Sequence, residues 1–362
     1  MIRVAWLPGD GVGREVTEGA VRLLDAFAPP GAVLIEGPLP IGATAIAETG
    51  DDLPAETLEA CRRADAILFG AVGEDPSVPT SLCPRPERAL LRLRRELDLA
   101  ISVRELLDPT TGETTTIVRN LLEGSYVDDR HRLESDGVGV AVDELRLHPD
   151  AIAAVAALAC ERARRTPGRR FVSADKASVY ATSRLWRRVV GEVATLAGVE
   201  VQHLYVDRAA FELASERPLP AVIVTEGLFG DILSDLISGR IGTPALCGSA
   251  SLPSDTKVGC QGLFEPAHGS APRRARTDMV NPSGAFLAVA MLLERFPDTA
   301  VLGGQVRRAL DEQLRDGPLT YDLAASSTPI GTRDFADRIL ARIDTRIPSA
   351  GSRIHDVPER TR

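Results

Sequence analysis

Residues 222–225, Val-Ile-Val-Thr, form an apolar run of the kind a buried strand needs. They lead through a glycine-containing turn, Glu226-Gly227-Leu228-Phe229-Gly230, into a helical pattern that starts near Asp231. A strand handed straight into a helix is the unit from which α/β folds are built. Asp231 and Asp235 are four residues apart, so on that helix they share one face. Two like charges at this spacing repel unless something positive lies between them. A hard divalent cation takes such oxygen ligands, and Mg²⁺ in particular keeps few carboxylates and leaves room for a substrate. The spacing also suits a plain helix, with Asp231 as a first-turn acid and Asp235 in solvent.

The same hand-over recurs along the chain. Residues 2–7 read as a strand that runs into Pro8-Gly9-Asp10-Gly11-Val12-Gly13, then a helix with Val16, Ala20, Val21 and Leu24 on one face. Residues 66–69 read as a short buried strand ending in Gly70-Ala71-Val72-Gly73. Neither turn is G-x-G-x-x-G. Each can bring backbone close to a ligand, or serve as an ordinary tight turn. A helix over 150–165 precedes a strand over 170–174, which delivers Asp175-Lys176-Ala177-Ser178. A helix over 183–196 precedes a strand over 199–206, which delivers Asp207. Lys176, Asp207 and Asp231 thus all follow the carboxyl ends of strands, the edge where α/β sheets bind ligands. Residues 262–272 are a third glycine-rich loop. It carries His268, which on its own reads as a packed loop residue, and leads to Arg273, Arg274, Arg276 and Asn281. The very apolar helix 284–293 and helices over 305–314 and 334–343 complete the pattern.

Arginines form a second candidate group. A helix after Arg85-Pro86-Glu87 carries Leu90, Leu91 and Arg94. Arg104 follows a short strand over 101–103, and Arg119 ends another over 116–118. Guanidinium groups pair with carboxylates through two parallel hydrogen bonds, so Arg94, Arg104 and Arg119 can line a polycarboxylate pocket, or be surface charge. Only Lys176 and Lys257 are lysines. A lysine in a chain that otherwise uses arginine invites proton chemistry, because its pKa shifts readily. Residues 126–147 are polar and then alternating, as in an extended arm or hairpin.

Composition narrows the function classes. A length of 362 residues suggests two or three domains with ample core, and 44% apolar with 26% charged residues is ordinary for a globular protein. A net charge of −9 argues against a general nucleic-acid surface. The five cysteines are scattered, without C-x-x-C spacing, as in a reducing compartment without a zinc site. Met1-Ile2-Arg3-Val4-Ala5-Trp6 lacks a signal-peptide plan and no apolar run is long enough to span a bilayer, so a cytoplasmic protein without membrane partners is expected.

Five segments, taken in order, resemble the β-decarboxylating dehydrogenases: the isopropylmalate, isocitrate, homoisocitrate and tartrate dehydrogenases. They are Leu7-Pro8-Gly9-Asp10-Gly11-Val12-Gly13, Asp175-Lys176-Ala177, Tyr205-Val206-Asp207, Phe229-Gly230-Asp231-Ile232-Leu233-Ser234-Asp235 and Glu265-Pro266-Ala267-His268-Gly269-Ser270-Ala271-Pro272. Each is weak alone; five in sequence are highly specific. The resemblance runs from residue 1 to about 345. It implies an α/β two-domain fold that is not a Rossmann fold. Residues 1–99 and 246–345 would form a large cofactor-binding domain. Residues 100–245 would form a central domain with a dimer arm at about 120–148, and 346–362 a loose tail. It further implies a homodimer with shared active sites.

Residue by residue, the resemblance makes Asp207, Asp231 and Asp235 the Mg²⁺ or Mn²⁺ ligands, Asp207 coming from the partner subunit. Lys176, also from the partner subunit, would relay the hydroxyl proton. Tyr126 would protonate the enolate left after CO₂ departs. Arg94, Arg104 and Arg119 would bind the malate carboxylates. Glu87, Leu90 and Leu91 follow the isopropylmalate dehydrogenase pattern, in which leucines meet the isopropyl group. Glu265, His268, Gly269, Ser270, Ala271, Arg273 and Asn281 would contact the cofactor. NAD-dependent members have an Asp where this chain has Arg273. An arginine cannot accept ribose hydroxyls but pairs with a 2′-phosphate, which favours NADP over NAD.

Several positions depart from the family pattern. The segment 119–126 matches neither the isopropylmalate nor the isocitrate version, and the stretch between Arg104 and Arg119 is short. Ser178 and Gly227 stand where asparagines are usual. These departures point to a specialised paralogue acting on a substituted malate, with isocitrate, homoisocitrate or tartrate as alternatives. A non-catalytic relative would have lost a metal aspartate, Lys176 or Tyr126, and all are present.

Overall fold

Alternate residues along a strand face opposite sides of a sheet, and here that rule sorts the apolar side chains into three cores. The computed structural model describes residues 1–28, 31–73, 85–124, 132–134, 141–256, 261–324 and 328–343. In chain order, β1 (Ile2–Gly9), α1 (Gly13–Phe27), β2 (Val33–Glu36), α2 (Ala43–Thr49), α3 (Ala55–Arg63), β3 (Ala66–Ala71) and α4 (Arg88–Glu96) lead to the hairpin of β4 (Ile101–Leu107) and β5 (Thr114–Asn120). β6 (Arg132–Glu134) and β7 (Ala141–Asp143) pair antiparallel, in keeping with the expected hairpin. Then come α5 (Pro149–Arg164), β8 (Phe171–Asp175), α6 (Ala181–Leu196), β9 (Gln202–Tyr205), α7 (Val206–Ala214), β10 (Val222–Thr225) and α8 (Gly227–Ile241). The chain closes with β11 (Cys247–Leu252), β12 (Gly262–Pro266), α9 (Ser283–Glu294), α10 (Ala300–Asp316) and α11 (Thr332–Arg342).

Ten strands form one sheet in the order β2-β1-β3-β12-β11-β4-β5-β10-β8-β9. β2, β1, β3 and β12 are parallel to one another, and so are β5, β10, β8 and β9. β11 and β4 pair antiparallel between them, so the two parallel blocks run in opposite directions. One face of the sheet is covered without a break by α1, α9, α10, α11, α5 and α6. α9 is apolar all round and buried along its length, as expected of a helix with no wet side.

The opposite face is divided. Ala5, Leu7, Ile67 and Phe69 pack under α3 and α4. Ile117, Val172, Ala174 and Ile223 pack under α7 and α8. Between those two cores a seam of the sheet face carries polar side chains: Glu265 of β12, Ser249 of β11, Arg104 of β4 and Arg119 of β5. Glu265, Ser249 and Arg104 stand side by side in the strand register.

The glycine-rich turns pack backbone against backbone. A Cβ at Gly70 would lie 2.2 Å from the Pro8 carbonyl oxygen and 2.8 Å from Gly13, and one at Gly11 (φ +56°) would lie 2.0 Å from the Ser270 carbonyl oxygen. The three loops therefore press directly on one another. The Asp10 carboxylate ties them further, accepting from the amides of Ala43 (2.8 Å), Thr44 (2.9 Å) and Gly73 (3.2 Å). Gly70→Ala should lower stability by about 1–3 kcal/mol, the usual effect of forcing a methyl into closed space. An unchanged urea midpoint would show that the loops are not so closely packed.

Two sequence expectations change. β4 and β5 are longer than anticipated, so Arg104 and Arg119 lie inside strands and not beyond short ones. α8 begins at Gly227, because the Glu226 carboxylate accepts from the amides of Leu228 (3.4 Å) and Phe229 (3.2 Å) and caps the helix. Asp231 therefore sits beyond the first turn, and the reading of it as a first-turn acid falls away.

Candidate active site

The divided face opens into a cavity of about 190 Å³ at the seam. α4 supplies Leu90 and Arg94, β4 Arg104, β5 Arg119, α8 Asp231, and the end of β12 with its following loop supplies Glu265, His268 and Gly269. The surface-charge reading of the arginines is excluded. Arg119 is among the largest fully buried side chains, and Arg94 is buried too.

Each guanidinium has an acidic or carbonyl partner. Arg94 Nη2 lies 2.7 Å from Glu265 Oε1, both side chains being 8% exposed. Arg104 and Arg119 each place an Nη2 3.0 Å from the same oxygen, Asp231 Oδ1. Arg104 also donates to Ser234 Oγ, and Arg119 Nη1 donates to the Gly227 carbonyl at 2.7 Å. Gly230 leaves the path for Arg119: a Cβ there would lie 2.8 Å from the arginine's Cδ. Glu87 also lines the cavity. Three guanidiniums thus face three carboxylates, and the cavity as it stands is formally neutral.

The remaining candidates lie elsewhere. Asp235 is exposed one helical turn beyond Asp231. Lys176, just past β8, and Asp207, in the first turn of α7, pair with each other (Nζ to Oδ1 2.5 Å) and do not line the cavity. The Lys176 hydrogen bond holds the Asp207 carboxyl below its ordinary range. Among the described residues of a single chain, no three His, Cys, Asp or Glu side chains stand together as a metal set. Tyr126 lies outside the described residues, as do 344–362 and therefore the expected tail.

The cofactor candidates divide as well. Glu265 is engaged by Arg94, inside the cavity. Burial pushes the His268 ring below its ordinary pKa, so it is neutral at pH 7. Its Nδ1 is 3.0 Å from the Gly269 carbonyl, which leaves Nε2 as a buried acceptor with no partner among the described residues. The Ser270 carbonyl accepts from the Val12 amide, and Ala271 takes a left-handed conformation (φ +37°) that turns the loop. Arg273 and Arg274 project from the short turn Pro272–Arg274, with the Arg274 guanidinium 5.6 Å from the Tyr321 ring centre. Asn281 is buried. Its Oδ1 accepts from the Ser283 amide and hydroxyl at the start of α9, and its Nδ2 donates to Asp322. Sequence reasoning passed over Tyr321 and Asp322, which sit in a polar stretch with no periodic signal.

The comparisons with known proteins agree with this geometry. The family model for isocitrate/isopropylmalate dehydrogenase matches residues 3–339. A 3-isopropylmalate dehydrogenase of Zymomonas mobilis is 37% identical over 95% of this chain and 100% of its own. One from Salinibacter ruber is 37% identical over 95% and 96%. Among solved structures, a β-decarboxylating dehydrogenase from Thermococcus kodakarensis, in its apo form, is 33% identical with a TM-score of 0.75, covering 95% of this chain and 96% of that one. The isocitrate dehydrogenase of Methylococcus capsulatus has a TM-score of 0.81 at 26% identity, covering 95% and 99%. The chain belongs to the isocitrate/isopropylmalate dehydrogenase family and is a decarboxylating dehydrogenase, an oxidoreductase. The family depends on a metal ion and a nicotinamide cofactor. Among the described residues no helix is long and apolar enough to cross a membrane.

Proposed function

We propose that this enzyme oxidises and decarboxylates a 3-substituted malate, 3-isopropylmalate or a close analogue, and passes the hydride to NADP⁺. The observation that carries the proposal is the buried arginine cluster around Asp231 in a formally neutral cavity, with Leu90 on its wall. Arg94, Arg104 and Arg119 would hold the two malate carboxylates, and Leu90 would receive an apolar substituent at carbon 3.

The donor set fits a hard cation. A malate dianion entering a neutral cavity would leave two uncompensated negative charges, which a buried site cannot hold without a counter-charge. Asp231 and Asp235, on one helix face, offer carboxylate oxygens to Mg²⁺ or Mn²⁺. Bound there, the cation would withdraw electron density from the substrate hydroxyl and stabilise the charge that develops as the carboxylate leaves.

The other groups would come from a second copy. Leu228 and Ile232 of α8, Phe211 of α7, and Tyr205 and Val179 are exposed beside Asp207, Lys176 and Asp235. An exposed apolar surface of this kind suits contact with a second copy of the chain. In a homodimer built on it, Asp207 of the partner subunit would join Asp231 and Asp235. Lys176 of the partner subunit would take the hydroxyl proton, with Tyr126 as the acid that protonates the product enolate.

For the cofactor, Arg273 and Arg274 present cationic groups, and no carboxylate, beyond the His268 loop. Arg274 is steadied on Tyr321, which suits a 2′-phosphate. Arg273→Asp combined with Arg274→Ile should raise the NAD⁺ to NADP⁺ ratio of kcat/KM by about tenfold to a hundredfold per arginine, the worth of a hydrogen bond to a charged group. An unmoved ratio would sink the NADP assignment.

The founding experiment follows formation of reduced nicotinamide with Mg²⁺ or Mn²⁺, 3-isopropylmalate, and NAD⁺ or NADP⁺ in parallel. Turnover supports the proposal. Reaction only with isocitrate, homoisocitrate or tartrate moves the substrate, and no reaction with any of these 2-hydroxy acids overturns it.

A further inference from the structure

Lys176 and Asp207 come from different elements, yet their side chains meet at 2.5 Å. Little packing around them accounts for this, since the Lys176 side chain is 30% and the Asp207 side chain 64% exposed. What fixes them lies just before each of them in the chain, at Asp175 and Tyr205. Asp175, at the end of β8, is buried. Its carboxylate accepts from Arg187 Nε (2.8 Å) and Nη2 (3.0 Å), the two-point fork that a guanidinium makes and an ammonium cannot. The same carboxylate accepts from the Ala177 amide (2.9 Å), so the backbone is held on both sides of Lys176.

Arg187 reaches the other segment as well. Its guanidinium lies 4.8 Å from the centre of the Tyr205 ring, and Tyr205 precedes Asp207 by two residues. Asp175 and Tyr205 are register partners across β8 and β9. Arg187 stands on α6 beside Trp186, Val189 and Val190, which are buried in the main core, so its base is anchored. His203, on the same strand as Tyr205, is kept neutral by burial and by Arg187, and adds no competing charge.

We infer that Arg187 is a positioning residue: gripping Asp175 and stacking on Tyr205, one guanidinium aligns Lys176 with Asp207 as a single unit presented to the neighbouring active site. The inference rests on the reading that Lys176 and Asp207 take part in the reaction. Nothing about it requires Arg187 to touch substrate. The substrate's carboxylates are assigned to arginines on other elements, so a fault in this unit should leave substrate KM in place and lower kcat.

The test uses the full chain with whichever substituted malate turns over in the assay above. Arg187→Ala should lower kcat about 10- to 100-fold, the range for groups that orient a ligand or catalytic group, with substrate KM within threefold of wild type. Added guanidinium ion should restore part of kcat. Arg187→Lys keeps the charge and most of the stem but loses the fork and the planar stack, so it should resemble the Ala variant and serve if that variant fails to fold. Arg188→Ala, which removes only an exposed pair with Glu192, is the control. A second readout needs no turnover. Lys176 and Lys257 are the only lysines, so mass spectrometry can follow acylation of each. In the Arg187 variants Lys176 should label several-fold faster relative to Lys257. Unchanged labelling and an unchanged kcat, or a kcat that falls only with the folded fraction and ignores guanidinium, overturn the inference. Lys176→Met separates the two levels: full activity in that variant removes the underlying reading, whereas its inactivity beside active Arg187 variants removes the positioning role alone.

Discussion

Replacing Asp231 with Asn should lower kcat/KM for the substituted malate by about a thousandfold, the scale on which loss of one charge-stabilising group is felt. The side chain keeps its shape and loses its charge. Arg104 and Arg119 then share an amide oxygen where they had a carboxylate, and the cavity gains one positive charge. A malate dianion should therefore still enter, held by the arginines. What fails is the counter-ion: the Mn²⁺ concentration for half-maximal rate should rise at least tenfold, since Asp235 alone offers one carboxylate on this helix. Titrating Mn²⁺ against substrate, at fixed cofactor, separates the two effects. A variant within tenfold of wild type and with the same Mn²⁺ dependence would remove Asp231 from the centre of the site.

Glu105→Gln should destabilise the protein by about 3–5 kcal/mol at pH 7, the loss expected when one member of a buried ion cluster is removed. Glu105 lies in β4 on the face opposite the cavity. It accepts from Arg162 of α5 at 2.9 Å and forms an ion pair with Arg307 of α10, whose Nη2 lies 2.7 Å away. Arg307 also pairs with Glu294 of α9 at 2.6 Å. Burial alone would push the Glu105 carboxyl up, but Arg307 and Arg162 together outweigh it and hold it below the ordinary glutamate range. A depressed carboxyl contributes stability above its unfolded pKa, about 4.3, and that contribution is lost as the pH falls through the folded value. Wild type and Glu105→Gln should therefore differ most at neutral pH and converge in acid. Urea midpoints for both proteins at pH 7 and at successively lower pH test this. A gap that stays constant into acid would mean that the carboxylate charge is not what binds the three elements.

Much of the architecture was legible because strands, glycine turns and helices alternate with clear apolar patterns. The glycine-rich loop around His268 and the Asp231 helix stood out for the same reason. What stayed hidden depends on partners distant in sequence. Arg104 and Arg119 broke the apolar pattern and made β4 and β5 look short. In the fold both side chains turn inward to one carboxylate, Asp231, 127 and 112 residues further on. Glu226 concealed the start of α8, since glutamate is not among the usual capping residues. Asp175 read as half of a motif with Lys176, and only the fold reveals that it turns inward to Arg187. The alternation in β4 did hold a clue: Ser102 and Arg104, two residues apart, put polar groups on one face of an otherwise buried strand.

The neighbour of β3 on its inner side is β12, and Ala66 pairs there with Gly262. On a ribosome that partner is made long after its template. At about 5–20 residues per second, roughly 10–40 s pass between synthesis of the two strands. Throughout that interval the nascent amino-terminal segment carries an open strand edge, Ala-Ile-Leu-Phe-Gly-Ala, without a charge or a proline to guard it. The order of the strands thus sets how long that edge stays open during synthesis.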